Sequence, residues 1–266
     1  MNRITRTFAE LKQQGKKAFV AYVAAGDPDY DRSLAILKGL ADAGADVLEL
    51  GLPFSDPLAD GIVNQMAAER ALKAGMTTRR VIELIRDFRK THETPLVLFT
   101  YLNPIFAYGF EAFQTDAVAA GADGILLLDL PPDEAGQSHD FDGNADLLRI
   151  RLIAPNTPEP RARMLAAQAE GFIYALSRTG VTGAHGAPSA HIGALVASLK
   201  QHATVPVCVG FGISTADQAR EVAQHADGVI VGSALVKQVE LHARESDPVD
   251  AVVRFAKDLI DAVHSA

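Results

Sequence analysis

The chain of 266 residues has no tryptophan and a single cysteine, Cys208. One thiol cannot close an internal disulfide, so burial must hold the fold together and a reducing compartment is the natural setting. Cys208 lies in an apolar run, where a buried structural thiol is a better reading than a nucleophile. Long hydrophobic runs are missing too: no stretch approaches the roughly 18–20 apolar residues of a membrane span. The charged opening segment, Met1 to Glu10, lacks the apolar core of a secretory signal. Basic residues are outnumbered, with 25 Lys and Arg against 33 Asp and Glu, for a net charge of −8. This acidic balance argues against nucleic acid and anionic membrane as partners, and it requires local donors for any anionic substrate. No His, Cys and Asp cluster has metal-ligand spacing, no P-loop occurs, and no Gly-x-Gly-x-x-Gly follows the first strand pattern. The strand ends carry no obvious lysine, which weakens a Schiff-base reading. A soluble, cytoplasmic protein is expected.

What is present is apolar and periodic. Hydrophobic residues make up 48% of the chain, enough for a large core. The length suits a (β/α)₈ barrel, which typically needs roughly 250 residues. A motif recurs in which a helix ends, often at a glycine, and a buried strand follows at once. Ala43-Gly44-Ala45-Asp46 precedes Val47–Leu50, and Ala120-Gly121-Ala122-Asp123 precedes Gly124–Asp129. Gly171 precedes Phe172–Leu176, and His225-Ala226-Asp227 precedes Gly228–Gly232. Short connections into near-continuous apolar strands point to a parallel sheet covered by helices.

Eight strands are predicted, centred on Phe19–Val23, Val47–Leu50, Leu96–Tyr101, Ile125–Leu128, Leu148–Ile153, Phe172–Leu176, Val205–Val209 and Val229–Val231. Helical patterns separate them. The last has an apolar stripe from Val249 to Val263, with Asp247-Pro248 as its cap and first residue. Ser214-Thr215-Ala216-Asp217 resembles a capping box. Ile4, Phe8 and Leu11 suggest an extra N-terminal helix over the barrel floor. The expected fold class is therefore α/β, a (β/α)₈ TIM barrel with an extra N-terminal helix, forming one domain over residues 1–266. A doubly wound open sheet is the alternative. The glycine-bearing polar loop from Arg178 to Ala190 is a lid candidate.

The densest chemical signal is the run from Glu49 to Asp60, Glu-Leu-Gly-Leu-Pro-Phe-Ser-Asp-Pro-Leu-Ala-Asp. Strand alternation sends Leu48 and Leu50 toward the helices and Glu49 into the barrel mouth. An ionised carboxylate is costly there, which makes Glu49 a candidate acid or base; a Glu satisfied by a salt bridge is the plainer reading. Asp60 taken alone reads as a turn or cap residue, as do Asp56 and the Asp27-Pro28 pair. The last two strands end in the turns Gly210-Phe211-Gly212-Ile213-Ser214 and Gly232-Ser233-Ala234-Leu235, each leading into a helix start. Backbone N–H groups at such places hold phosphate in many barrels. Tyr22, Phe99, Tyr101, Tyr174 and Phe211 lie at or near strand ends and could line a flat apolar pocket. Arg178 and Thr182 belong to the lid candidate, and His185 and His191 are assigned no role.

These residues resemble the tryptophan synthase alpha subunit family nearly end to end. The most specific stretch is Leu48 to Gly61. It is supported by Tyr101-Leu-Asn-Pro104, Asp129-Leu-Pro131, Leu176-Ser-Arg-Thr-Gly-Val-Thr-Gly183 and Val209-Gly-Phe-Gly-Ile-Ser214. The resemblance implies a cofactor-free, metal-free retro-aldol cleavage of indole-3-glycerol phosphate to indole and glyceraldehyde 3-phosphate. It implies that Glu49 is the acid/base glutamate, that Asp60 stabilises the indolenine tautomer through the ring nitrogen, and that Tyr174 lies near the glycerol chain. Gly183, Gly212, Gly232 and Ser233 would hold the phosphate, with Tyr22, Phe99, Arg178, Thr182 and Phe211 in the pocket or lid. It further implies a beta subunit that carries pyridoxal phosphate, receives the indole in an alpha2-beta2 complex, and faces Pro53, Asp56, Pro57, Asn103 and Pro131. The chain departs from the family after Gly61, where Ile62-Val63-Asn64 replaces a pattern with proline first and an apolar third residue. A ligand-binding regulatory subunit without turnover and a phosphosugar isomerase on the same barrel are the competing readings.

Overall fold

The computed structural model describes residues 1–130, 146–177, 191–210, 212–243 and 248–266. The first half runs α1 (Arg3–Gln13), β1 (Ala18–Ala24), α2 (Tyr30–Asp42), β2 (Val47–Gly51), α3 (Ile62–Lys73), α4 (Thr78–Arg89) and β3 (Leu96–Thr100). It continues through α5 (Leu102–Tyr108), α6 (Phe110–Ala120), β4 (Gly124–Leu127), β5 (Leu148–Arg149) and β6 (Arg151–Ile153). The remainder is α7 (Glu159–Ala167), β7 (Ile173–Leu176), α8 (His191–Lys200), β8 (Val207–Gly210), α9 (Ala216–Ala223), β9 (Gly228–Val231), α10 (Ser233–His242) and α11 (Pro248–His264).

All strand pairings are parallel, in the order β5-β4-β3-β2-β1-β9-β8-β7-β6. The two ends of this sheet are the two halves of one stretch, Leu148–Ile153. Its first half pairs with β4 and its second with β7. Ile150 between them still donates to the Ile125 carbonyl at 2.9 Å. The sheet therefore wraps around as an eightfold barrel, and the open sheet is excluded. The fifth predicted strand is split because it must turn from one neighbour to the other.

Alternation along the strands divides the core in two. Phe19, Ala21, Val23, Leu48, Leu50, Leu96 and Leu98 face the helices, in the larger apolar cluster. Val20, Val47, Val97, Phe172, Cys208 and Ile230 face the barrel axis, and Ile4, Phe8 and Leu11 of α1 join them. Helix α1 thus seals the N-terminal end of the barrel, as its apolar spacing predicts. Phe8 packs its ring 5.7 Å from that of Phe172. Asp123 latches α1 in place, accepting from Arg3 Nη1 at 3.0 Å, Arg89 Nη2 at 2.7 Å and the Leu96 amide at 2.9 Å. Cys208 is fully buried, so its thiol is packing, and burial raises its pKa.

Two local expectations shift. The capping box is one residue later than expected: Thr215 caps α9 by accepting from the Gln218 amide, and Gln218 Oε1 accepts from the Ser214 amide at 2.9 Å. Asp27 is more than a turn residue, for it is buried and accepts from Arg70 Nε and Nη2 at 2.8 Å each. Pro248 begins α11, and Asp247 lies outside the described residues.

Candidate active site

Strand β2 delivers Glu49 to the barrel axis, in register with Tyr22 of β1 and Val97 of β3. The carboxyl group is 0% exposed, and among the described residues neither of its oxygens has a hydrogen-bond partner. Among the described residues, the salt bridge of the plainer reading is not found. Burial without compensation pushes the Glu49 pKa up to about 8. Near neutral pH such a group holds a proton that it can give up, the condition for reversible proton transfer.

Asp60 stands on the loop after β2, close enough that its charge acts on the same two tyrosines, Tyr22 and Tyr174, as that of Glu49. Its Oδ2 accepts from the Tyr101 hydroxyl at 2.7 Å and its Oδ1 from Asn64 Nδ2 at 3.3 Å. Gln65 Nε2 donates to the Asp60 carbonyl at 2.8 Å. Burial raises the Asp60 pKa, while the bonds from Tyr101 and Asn64 oppose that rise. The two carboxyls therefore sit in contrasting environments, one bare and one hydrogen-bonded, which separates their proton affinities. Both fields reach Tyr22 and Tyr174, whose hydroxyls are held well above the usual phenol range by burial first and by these carboxylates second.

Space for the tyrosines comes from glycine. A methyl group at Gly51 would collide with the Tyr22 hydroxyl, and one at Gly210 would lie 2.7 Å from the Tyr174 hydroxyl. Gly210, read from the sequence as part of a phosphate turn, is the last residue of β8 and serves as clearance for Tyr174. Phe99 meets Tyr22 edge-on with centroids 5.1 Å apart.

The two glycine turns come together. Gly212, Ile213, Gly232 and Ser233 line a cavity of about 60 Å³ together with Gly61, Val63, Asn64 and Tyr174. Gly212 has φ +77°, a conformation L-residues rarely adopt. Gly232 precedes α10, and no side chain caps that helix, so its first amides remain suited to an anion. Pro53, Asp56, Pro57 and Asn103 lie at the surface of the adjoining segments. Gly183, Arg178, Thr182, Phe211, Pro131, His185 and the lid candidate from 178 to 190 fall outside the described residues.

Sequence reasoning placed Tyr101 among the pocket aromatics, yet its hydroxyl is the partner of Asp60. No spacing rule signals that bond, since it joins a strand end to a loop 41 residues earlier.

The family profile described as tryptophan synthase alpha chain matches residues 8–264. The chain belongs to that family. It is 49% identical over 240 residues to the tryptophan synthase alpha chain of Desulfosudis oleivorans, covering 90% of this chain and 91% of that one. It is 50% identical over 240 residues to that of Geobacter sulfurreducens, with the same coverage. The crystal structure of the Legionella pneumophila tryptophan synthase alpha chain superposes with a TM-score of 0.88 at 40% identity, covering 99% of this chain and 97% of that one. Membership makes the chain a carbon–carbon lyase of tryptophan biosynthesis, acting in the alpha-subunit role of indole-3-glycerol phosphate cleavage, with a beta subunit as partner. Among the described residues no helix is long and apolar enough to cross a membrane.

Proposed function

We propose that Glu49, Asp60 and Tyr174 carry out the cleavage in a single barrel domain spanning residues 1–266. Indole-3-glycerol phosphate lies across the barrel mouth, with its ring near Glu49 and Asp60 and its phosphate on the turns of Gly212, Gly232 and Ser233. The Glu49 carboxyl gives its proton to indole C3, forming the indolenine cation, while the Asp60 carboxylate bonds the ring N–H. The Glu49 carboxylate then takes the proton of the hydroxyl on the carbon attached to the ring. The C–C bond breaks, its electron pair returns to the ring, and indole and glyceraldehyde 3-phosphate leave. One group can do both transfers because its pKa, near 8, lies close to neutrality. Tyr174 borders the glycerol chain, and Tyr22 and Phe99 complete the pocket; Phe211, outside the described residues, is assigned to it by family likeness alone. Gly183, Arg178 and Thr182 belong to the proposed phosphate site and closing loop.

The observation that supports this reading most is the fully buried Glu49 carboxyl, which has no partner among the described residues. Glu49→Gln keeps the shape and removes the proton transfer, so kcat should fall by roughly 10²–10⁴ with folding retained. Near-normal turnover in that variant refutes the assignment.

The partner is read as docking on the segments after β2 and β3, bearing Pro53, Asp56, Pro57 and Asn103; Pro131, outside the described residues, is assigned to the partner face by family likeness alone. Leu58 and Phe106 on these segments are 90% and 68% exposed, an apolar display that suits a protein interface. In an alpha2-beta2 complex, working in the cytoplasm, indole would pass to a beta subunit whose pyridoxal phosphate joins it to serine. The loop that meets the partner also carries Asp60, so docking can adjust the site. An indole-release rate unchanged by added beta subunit rules out that coupling.

A further inference from the structure

We propose that Asn64 reads the substrate, its side-chain carbonyl accepting a hydrogen bond from a hydroxyl of the glycerol chain. The inference rests on the active-site reading above. Asn64 stands in the first turn of α3, just after the loop that bears Asp60. Its Nδ2 donates to Asp60 Oδ1 at 3.3 Å. An ionised carboxylate only accepts, so the amide must turn its NH₂ toward Asp60. The Oδ1 atom is then left for another partner. It is buried, and among the described residues no donor meets it.

A buried carbonyl without a donor is a standing liability, which an apolar side chain here would avoid. The cavity that Asn64 lines shows where a donor can enter. Its other walls are Tyr174, Val63, Gly61 and the turns that carry Gly212, Ile213, Gly232 and Ser233. With the ring nitrogen at Asp60 and the phosphate at the glycine turns, the part of the substrate between them is the glycerol chain. A side chain that touches Asp60 and also lines the glycine-turn cavity faces that part. The ring N–H is already bonded by Asp60, and the ionised phosphate is an acceptor. The two glycerol hydroxyls are the remaining donors. Asn64 thereby links the carboxylate that holds the ring to the chain that is cleaved.

The test compares Asn64→Leu, nearly isosteric, with the unsubstituted enzyme on two ligands. One is indole-3-glycerol phosphate, followed by kcat and KM. The other is indole-3-propanol phosphate, which keeps ring and phosphate but lacks both hydroxyls, followed by Kd. The substitution should lower kcat/KM for the glycerol phosphate about tenfold, the usual effect of one lost neutral hydrogen bond with its partner left unpaired. The Kd for the propanol phosphate should rise only about threefold, because that ligand keeps the ring N–H at Asp60 and loses just the support that Asn64 Nδ2 gives that carboxylate. Equal losses for both ligands, or an unchanged kcat/KM, overturn the proposal. If circular dichroism shows Asn64→Leu misfolded, Asn64→Ser is judged by the same two outcomes. Glu49→Gln is assayed alongside. If its turnover collapses while Asn64→Leu behaves normally, only the Asn64 proposal falls; if its turnover survives, the active-site reading falls and takes this inference with it.

Discussion

The Tyr101 hydroxyl clamps Asp60 from two sides, donating to its Oδ2 at 2.7 Å and accepting the amide of the preceding residue, Ala59, at 3.0 Å. A residue at the end of β3 therefore fixes both the position and the charge of a carboxylate on a loop. Burial alone would favour the protonated form of Asp60, and this bond is the largest influence opposing it. Tyr101→Phe should move the Asp60 pKa upward and loosen the loop. We expect kcat to fall about tenfold, the scale of one charge-assisted bond, and the acid limb of the kcat/KM profile to shift to higher pH. An acid limb that stays in place would show that Tyr101 does not set the charge of Asp60.

Glu49 carries a stability cost that depends on pH, and its sign follows from the raised pKa. Below about pH 4.5 the group is protonated in folded and unfolded chains alike, and it costs nothing. Between its ordinary value of 4.5 and its folded value of about 8 the unfolded chain releases the proton while the folded chain keeps it, so stability falls as pH rises. Above that range the cost is constant. At pH 7 it amounts to as much as about 3 kcal/mol, at 1.36 kcal/mol per pKa unit. Glu49→Gln removes this dependence. In urea denaturation the variant should gain stability relative to the unsubstituted chain from pH 5 to pH 8, by up to about 4 kcal/mol across the interval. The same titration predicts that kcat/KM of the unsubstituted enzyme declines above about pH 8, as the proton needed at indole C3 is lost. A stability difference that is flat with pH would place the Glu49 pKa near its ordinary value.

Phe106 gives the proposed partner face a direct test. The ring is two-thirds exposed and meets Phe110 with centroids 5.8 Å apart, so a polar replacement disturbs little of the core. Aromatic anchors commonly contribute 2 kcal/mol or more to an interface. Phe106→Asp should weaken beta-subunit binding roughly 30-fold in calorimetry and leave the melting temperature of the isolated chain within a few degrees. Unchanged affinity moves the docking surface elsewhere.

The barrel and its floor were legible because both rest on periodicity. Alternation within the strands separates Leu48 and Leu50 from Glu49, and the helical spacing of Ile4, Phe8 and Leu11 marks a plug. The split at Ile150 was not legible, because Leu148-Arg149-Ile150-Arg151-Leu152 alternates without a break across it, whichever neighbour each half pairs with. At the site, Glu49 showed itself as a charge on an apolar face. The Tyr101 clamp, the Arg70 bond to Asp27 and the clearances at Gly51 and Gly210 did not. Each joins segments far apart in the chain, and residue type alone does not say which partner the fold will supply.

The clearance at Gly210 separates the position of Tyr174 from its chemistry. A methyl group there would lie 2.7 Å from the Tyr174 hydroxyl and 2.9 Å from Ile230 Cβ. The phenol can swing away, but Ile230 belongs to β9 and moves only with its strand. Gly210→Ala should therefore displace the Tyr174 ring and also strain the barrel, costing about 1–3 kcal/mol as overpacking usually does. Tyr174→Phe removes the hydroxyl and keeps the ring in place. If the hydroxyl contributes to turnover, both variants lose kcat, and only Gly210→Ala loses stability in denaturant titration. If the ring alone shapes the pocket, Tyr174→Phe retains full kcat while Gly210→Ala raises KM. A Gly210→Ala enzyme with normal kcat, KM and stability would mean that the β8 end yields at no cost, and the close approach of Tyr174 would then have no part in building the site.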